Sequence, residues 1–118
     1  MKKMIMTIEE IDITATLVKN SSTEKLLELL ADGPITMEMQ DYAGIEKVGD
    51  LGASLPRNDE QISTRAGDLI LYQGREFVIY YGPNSWNFTR LGRIDEIDQK
   101  GLKSILGSGN VTVKLSLK

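Results

Sequence analysis

Two runs near the start of the chain alternate apolar with polar residues. In residues 11–18, Ile11, Ile13, Ala15 and Leu17 share one face, and Asp12, Thr14, Thr16 and Val18 share the other. Residues 3–8 alternate in the same way. A period of two predicts half-buried strands, and Glu9-Glu10 between the runs predicts a tight hairpin, although the favoured Asn-Gly or Asp-Gly turn is missing. The period then changes. Ser21-Ser22-Thr23-Glu24 reads as a capping box with Ser21 as N-cap. Leu26, Leu27, Leu29 and Leu30 follow as a wide helical stripe, and Asp32-Gly33-Pro34 ends it, because Gly accepts the left-handed cap and Pro cannot extend the ladder.

Further along, Ile35, Met37 and Met39 alternate with Thr36 and Glu38 as a strand, Tyr42-Ala43-Gly44 reads as a turn, and residues 46–49 as a short strand. Residues 51–56 read as a bend and Arg57 to Gln61 as a polar loop or one helical turn. Long polar connections of this kind tend to be functional or mobile. Leu69 to Tyr72 and Phe77 to Tyr81 read as strands joined by a turn at Gln73-Gly74-Arg75. The second of these is the most β-prone run in the chain. Residues 82–87 read as a loop by composition, and Thr89 to Ile94 as a strand with Gly92 at a bulge or close approach. Asp98 caps a short helix reaching Leu106 despite Gly101, and Val111, Val113, Leu115 and Leu117 form a last alternating strand. Two helices are too few to cover both faces of a parallel sheet. The expected fold is mainly β, a closed or nearly closed antiparallel β-barrel of about eight strands with one longer and one short helix, since closure removes exposed edges.

Length and composition narrow the chemistry. The 118 residues suit one domain, taken as 1–118, and contain no Cys and no His. A thiolate nucleophile, a Cys- or His-ligated zinc and a Ser-His-Asp triad are thereby excluded. The net charge of -3 and a pI near 5.0 argue against nucleic acid as a partner. No apolar run reaches the length of a secretory or spanning segment, so a cytoplasmic protein without a membrane partner is expected. The charge is uneven. Residues 1–56 carry five Lys and ten acids, whereas residues 57–118 carry nine basic residues and seven acids. All five arginines, the single Trp, both Phe and three of the four Tyr fall within 57–93, and Arg and aromatics are the residue types enriched at binding surfaces. Asp95, Glu96 and Asp98 lack calcium-loop spacing and read as a solvated turn and helix cap. No metal or cofactor is expected.

Several segments in order resemble the bacterial cyclophilin-like domain family. They are Ala15 to Ser22 followed by the Leu-rich helix, Ile35 to Met39, Leu55-Pro56, Ala66 to Tyr72, and Asn84 to Ile94. The resemblance runs from about residue 4 to 96. It implies a closed antiparallel barrel flanked by a helix, as in cyclophilin-type prolyl isomerases, where an Arg hydrogen-bonds the substrate around the prolyl amide and a Gln orients the backbone. Arg57 is the candidate for that Arg and Gln61 for the orienting amide, with Phe77, Tyr81, Trp86 and Phe88 as the apolar wall. Twisting an amide needs neither nucleophile nor metal. However, the phrase of true cyclophilins joining an aromatic, His and Arg ahead of Gln-Gly-Gly is missing here, and so is the cyclophilin site histidine.

Three functions are therefore weighed. The first is a non-catalytic or cryptic binding module for an extended peptide or a small anionic ligand, using Arg57, Phe77, Tyr81, Trp86, Phe88 and Arg90, since Arg forks onto carboxylate or phosphate. The second is a weak peptidyl-prolyl isomerase. The third is a structural or interaction module that makes contact through an exposed Met37 or Met39 or the 83–88 loop, with the oligomeric state left open. Arg90 and Arg93 are alternatively expected to pair with Asp95, Glu96 or Asp98 on the surface. Tyr80 and Tyr81, adjacent on one strand, must face opposite sides.

Overall fold

The computed structural model describes residues 2–118. Strand β1 (Lys3–Ile8) and strand β2 (Ile11–Leu17) form the expected hairpin, with Ile8 paired to Ile11. Glu9 and Glu10 take φ of 46° and 70°, the paired positive values of the turn whose twist suits a two-residue hairpin. Helix α1 follows (Ser21–Ala31). Its N-cap is Asn20 rather than Ser21. The Asn20 side chain accepts from the Thr23 N–H at 2.8 Å, and the Thr23 hydroxyl accepts in turn from the Asn20 N–H at 3.1 Å. Ser21 and Ser22 are thereby released to hold a loop. Both hydroxyls accept from Asn58 Nδ2, and Ser22 donates to the Pro56 carbonyl.

Seven strands and one helix complete the chain. They are β3 (Ile35–Tyr42), β4 (Glu46–Asp50), β5 (Glu60–Thr64), β6 (Asp68–Tyr72), β7 (Glu76–Tyr80), β8 (Asn84–Ile94), α2 (Gln99–Leu106) and β9 (Val111–Leu117). The order is β2-β1-β9-β3-β4-β7-β6-β8, and β8 pairs back onto β2, so eight antiparallel strands close a barrel. The ninth strand, β5, lies outside on the first half of β8. Two expectations change here. The segment from Arg57 to Gln61 leads into β5 rather than forming a loop or helical turn throughout, and β8 begins at Asn84, so only Gly82 and Pro83 of the supposed 82–87 loop lie outside strands.

The barrel interior holds the main apolar cluster, which includes Met4, Met6, Leu17, Leu69, Leu71, Phe77, Ile79 and Val113, with Leu26 and Leu30 of α1 packed onto it. Met37 and Met39 belong to this interior and are buried, which removes them as an exposed contact surface. Gly92 sits where β8 closes on β2. A Cβ there would stand 2.2 Å from the Thr16 carbonyl oxygen, the close approach expected of it. Asp98 caps α2 by accepting from the Gly101 N–H at 2.7 Å. Among the described residues no helix is long and apolar enough to cross a membrane.

Candidate functional site

Strands β6 and β7 are apolar on both faces, so the barrel must be covered from outside as well as filled from inside. Phe77 and Ile79 point inward, while Glu76, Val78 and Tyr80 point outward. Register then fixes their outer neighbours. Across β4, Glu46 lies opposite Tyr80 and Val48 opposite Val78. Across β6, Ile70 lies opposite Val78 and Tyr72 opposite Glu76. The ribbon of β5 and the first half of β8 supplies the cover. Ile62 and Phe88 join Ile70, Val78 and Tyr80 in a second buried cluster. The Phe88 ring meets Tyr80 at 5.6 Å and Tyr72 edge-on at 6.2 Å, separations at which ring quadrupoles attract.

Coverage is incomplete and leaves an open cleft of about 360 Å³. Phe88, Val78 and Tyr80 are its buried residues, and Tyr42 and Trp86 are exposed on its rims. Trp86, the only tryptophan, is 61% exposed and Tyr42 50%. Asn84 donates to the Tyr80 hydroxyl at 3.2 Å. Among the described residues, the charged ones lining the cleft are Glu46 and Glu76, and no lysine or arginine lines it. Burial pushes the Glu46 carboxyl above the usual range; the Tyr80 hydroxyl opposes this by hydrogen bonding, and the carboxylates of Asp41 and Glu76 each add a smaller upward push. Burial also raises the Tyr80 hydroxyl, which stays protonated.

The residues singled out from sequence fall in different places. Trp86 and Phe88 line the cleft. Phe77 and Tyr81 belong to the interior cluster, four residues apart on the other side of the same wall. The Arg57 side chain is 56% exposed and donates from Nε to Asp59 at 2.9 Å. Asp59 also accepts from Thr89 at 2.6 Å. Gln61 is exposed on β5, paired with Asn87 on the face opposite Ile62. Arg90 and Arg93 converge on buried Asp68, at 3.4 and 2.9 Å, rather than on Asp95, Glu96 or Asp98. The 51–59 connection is held in place. The Leu55 N–H donates to the Gly74 carbonyl at 2.7 Å and the Asn58 N–H to the Thr89 hydroxyl at 2.8 Å. Tyr42, Glu46, Tyr72, Glu76 and Tyr80 were not among the expected site residues. One signal for them existed, since five consecutive apolar residues in 77–81 mark a strand covered on both faces.

A polar group sits inside the barrel. Lys47 is fully buried, with Nζ 2.5 Å from the Gly109 carbonyl, 3.1 Å from Asp41, and 5.7 Å over the Tyr81 ring. Tyr81 donates its hydroxyl to Asp41. Burial raises the Asp41 carboxyl, but these hydrogen bonds and the Lys47 charge outweigh it, and its pKa lies below the usual value.

Comparison with known proteins shows a family and a solved structure of the same fold. The cyclophilin-like family matches over residues 6–116. The solution structure of the hypothetical protein AF2241 from Archaeoglobus fulgidus has the same fold, with a TM-score of 0.69 and 14% identity over 99% of this chain and 95% of that one. Among curated proteins none matches by sequence.

Proposed function

The chain belongs to the cyclophilin-like family, and on that premise we propose that it is a non-catalytic binding module whose outer cleft, between β8 and the β4–β7 wall, seats part of an extended peptide. The observation that carries this reading is Trp86, held 61% exposed beside a cleft with buried aromatics beneath it. A large aromatic at the edge of a preformed concavity is the residue type that dominates peptide and protein interfaces. A volume of about 360 Å³ suits one or two large side chains rather than a whole cofactor. The ribbon that forms one side is fixed by the β5–β8 ladder and by the Ser63–Ser85 hydroxyl contact at 2.9 Å, so little ordering remains to oppose binding.

The isomerase reading draws less support. It needs Arg57, Gln61 and an aromatic wall around one amide. Arg57 is engaged by Asp59, Gln61 lies on the far face of β5, and Phe77 and Tyr81 are inside the barrel. Amide shifts in a nitrogen-15 correlation spectrum test the binding reading. On titration with a mixture of blocked pentapeptides, perturbations are expected at residues 46–48, 76–80 and 84–88. Shifts confined to the Arg57 loop, or none at all, would sink it.

A further inference from the structure

The cleft has a charge that the arginines of the sequence do not suggest. Glu46 and Glu76 both line it, and neither pairs with a lysine or arginine among the described residues. Elsewhere on the molecule, aspartates take the paired cations. Lys3, Lys47, Arg57, Arg75, Arg90 and Arg93 pair with Asp95, Asp41, Asp59, Asp50 and Asp68. The two cleft carboxylates thus stand among aromatic rings with no counter-charge of their own.

Resting on the reading that this cleft seats a peptide, we infer that its occupant is an extended segment of another polypeptide that inserts an arginine side chain between the aromatic rims and a cleft carboxylate. The chemistry is complementary on both counts. A guanidinium is planar, so it stacks on Tyr or Trp faces while its fork donates two parallel hydrogen bonds to a carboxylate. Register places Glu46 beside Tyr80, and Glu76 beside Tyr72. Their backbone rows are four residues apart along the strand direction, roughly 13 Å, and each glutamate has a tyrosine as its cross-strand neighbour. The Glu46 carboxyl is held above its usual range by burial and by neighbouring carboxylates. It therefore burdens the free protein, and an arriving cation would relieve that burden. A phosphate or acidic peptide would meet two carboxylates and no donor cation.

The test uses the full chain and three blocked pentapeptides that differ only at the central residue, which is arginine, citrulline or glutamate. Trp86 is the sole tryptophan, so its fluorescence reports on the cleft alone. The arginine peptide is expected to bind at least tenfold more tightly than the citrulline peptide, and the glutamate peptide most weakly. In a Glu46→Gln/Glu76→Gln variant, whose thermal unfolding verifies folding, the preference for arginine over citrulline should collapse. Equal binding of the arginine and citrulline peptides overturns this inference and leaves the peptide-binding reading standing. Preference for the glutamate peptide also overturns it. If none of the three perturbs Trp86, both readings fail.

Discussion

The seam between β2 and β8 holds the barrel closed, and a single methyl group tests it. Only three residue pairs form the seam: Ala15 with Ile94, Thr16 with Arg93, and Leu17 with Gly92. In Gly92→Ala the new Cβ would stand 2.2 Å from the Thr16 carbonyl oxygen and 3.0 Å from the Leu17 Cα. Both are backbone atoms and cannot rotate away. To reach an ordinary contact the strands must part by about 1 Å, which takes a hydrogen bond such as Val18 N–H to Leu91 O, now 2.9 Å, beyond bonding length. Losing two such bonds costs about 2 kcal/mol, and the remaining overpacking about 1 kcal/mol more. The total of about 3 kcal/mol is a large share of a typical domain stability of about 5–15 kcal/mol. Urea unfolding followed by Trp86 fluorescence and far-ultraviolet dichroism measures it. With a slope of about 1.5 kcal/mol/M the midpoint should fall by about 2 M. Gly49→Ala is the control, because there the added atom meets Met37 and Met39 side chains, with Met37 Sδ at 2.7 Å. Flexible thioethers can give way, so the cost should be only about 1 kcal/mol. A Gly92→Ala midpoint within 0.3 M of wild type would refute the reasoning and with it the closure of the barrel at this seam.

Three further outcomes are expected. Replacing the turn by Glu9→Asn/Glu10→Gly relieves two left-handed residues and should stabilise the fold by about 1–2 kcal/mol; a lower melting temperature would contradict the turn geometry. Lys47→Met should cost about 1–2 kcal/mol at neutral pH, less than a fully enclosed broken pair would, because Asp41 is partly exposed and water can reach it. The Asp41 carboxyl is depressed in the fold, so its contribution is present above the unfolded value and is lost as pH falls through the folded one. The gap between wild type and Lys47→Met should therefore narrow below about pH 4, and a gap that stays constant in acid unfolding would argue against the coupling. Glu46 has the opposite sign. Its raised carboxyl opposes folding once ionised, so Glu46→Gln should unfold at a higher temperature than wild type at pH 7, with the advantage gone below about pH 4. A less stable variant at pH 7 would count against the uncompensated charge in the cleft.

The barrel was legible wherever one face of a strand is wet. β1, β2 and β9 alternate cleanly because one side meets the core and the other meets solvent. β5 was hidden. Its alternation of Gln61 and Ser63 with Ile62 and Thr64 is short, polar, and directed at a cluster outside the barrel. The start of β8 was masked by Gly82-Pro83-Asn84-Ser85, a loop composition that ends in a strand because β5 pairs with it. The helix start slipped by one residue because Asn20 and Ser21 are both competent caps; the choice falls to Asn20, whose Nδ2 also donates to the Arg90 carbonyl at 2.9 Å. At the site, Trp86 and Phe88 were legible as aromatics among turn residues. Phe77 and Tyr81 were exchanged for Tyr72 and Tyr80 because a period of two shows which residues share a face but not which face looks inward. Glu46 and Glu76 carry no local signal. They come together only because β4 and β7, distant in sequence, pair in a register set by the barrel.

If a partner peptide binds in the outer cleft, as proposed above, the Trp86 indole must sense it. In the free protein its indole is 61% exposed, so acrylamide should quench it readily. At saturation with the blocked arginine pentapeptide, emission should shift to shorter wavelength and quenching should fall at least twofold, as stacking removes the ring from water. Emission and quenching unchanged by a peptide shown to be bound by other means would place the binding site outside this cleft.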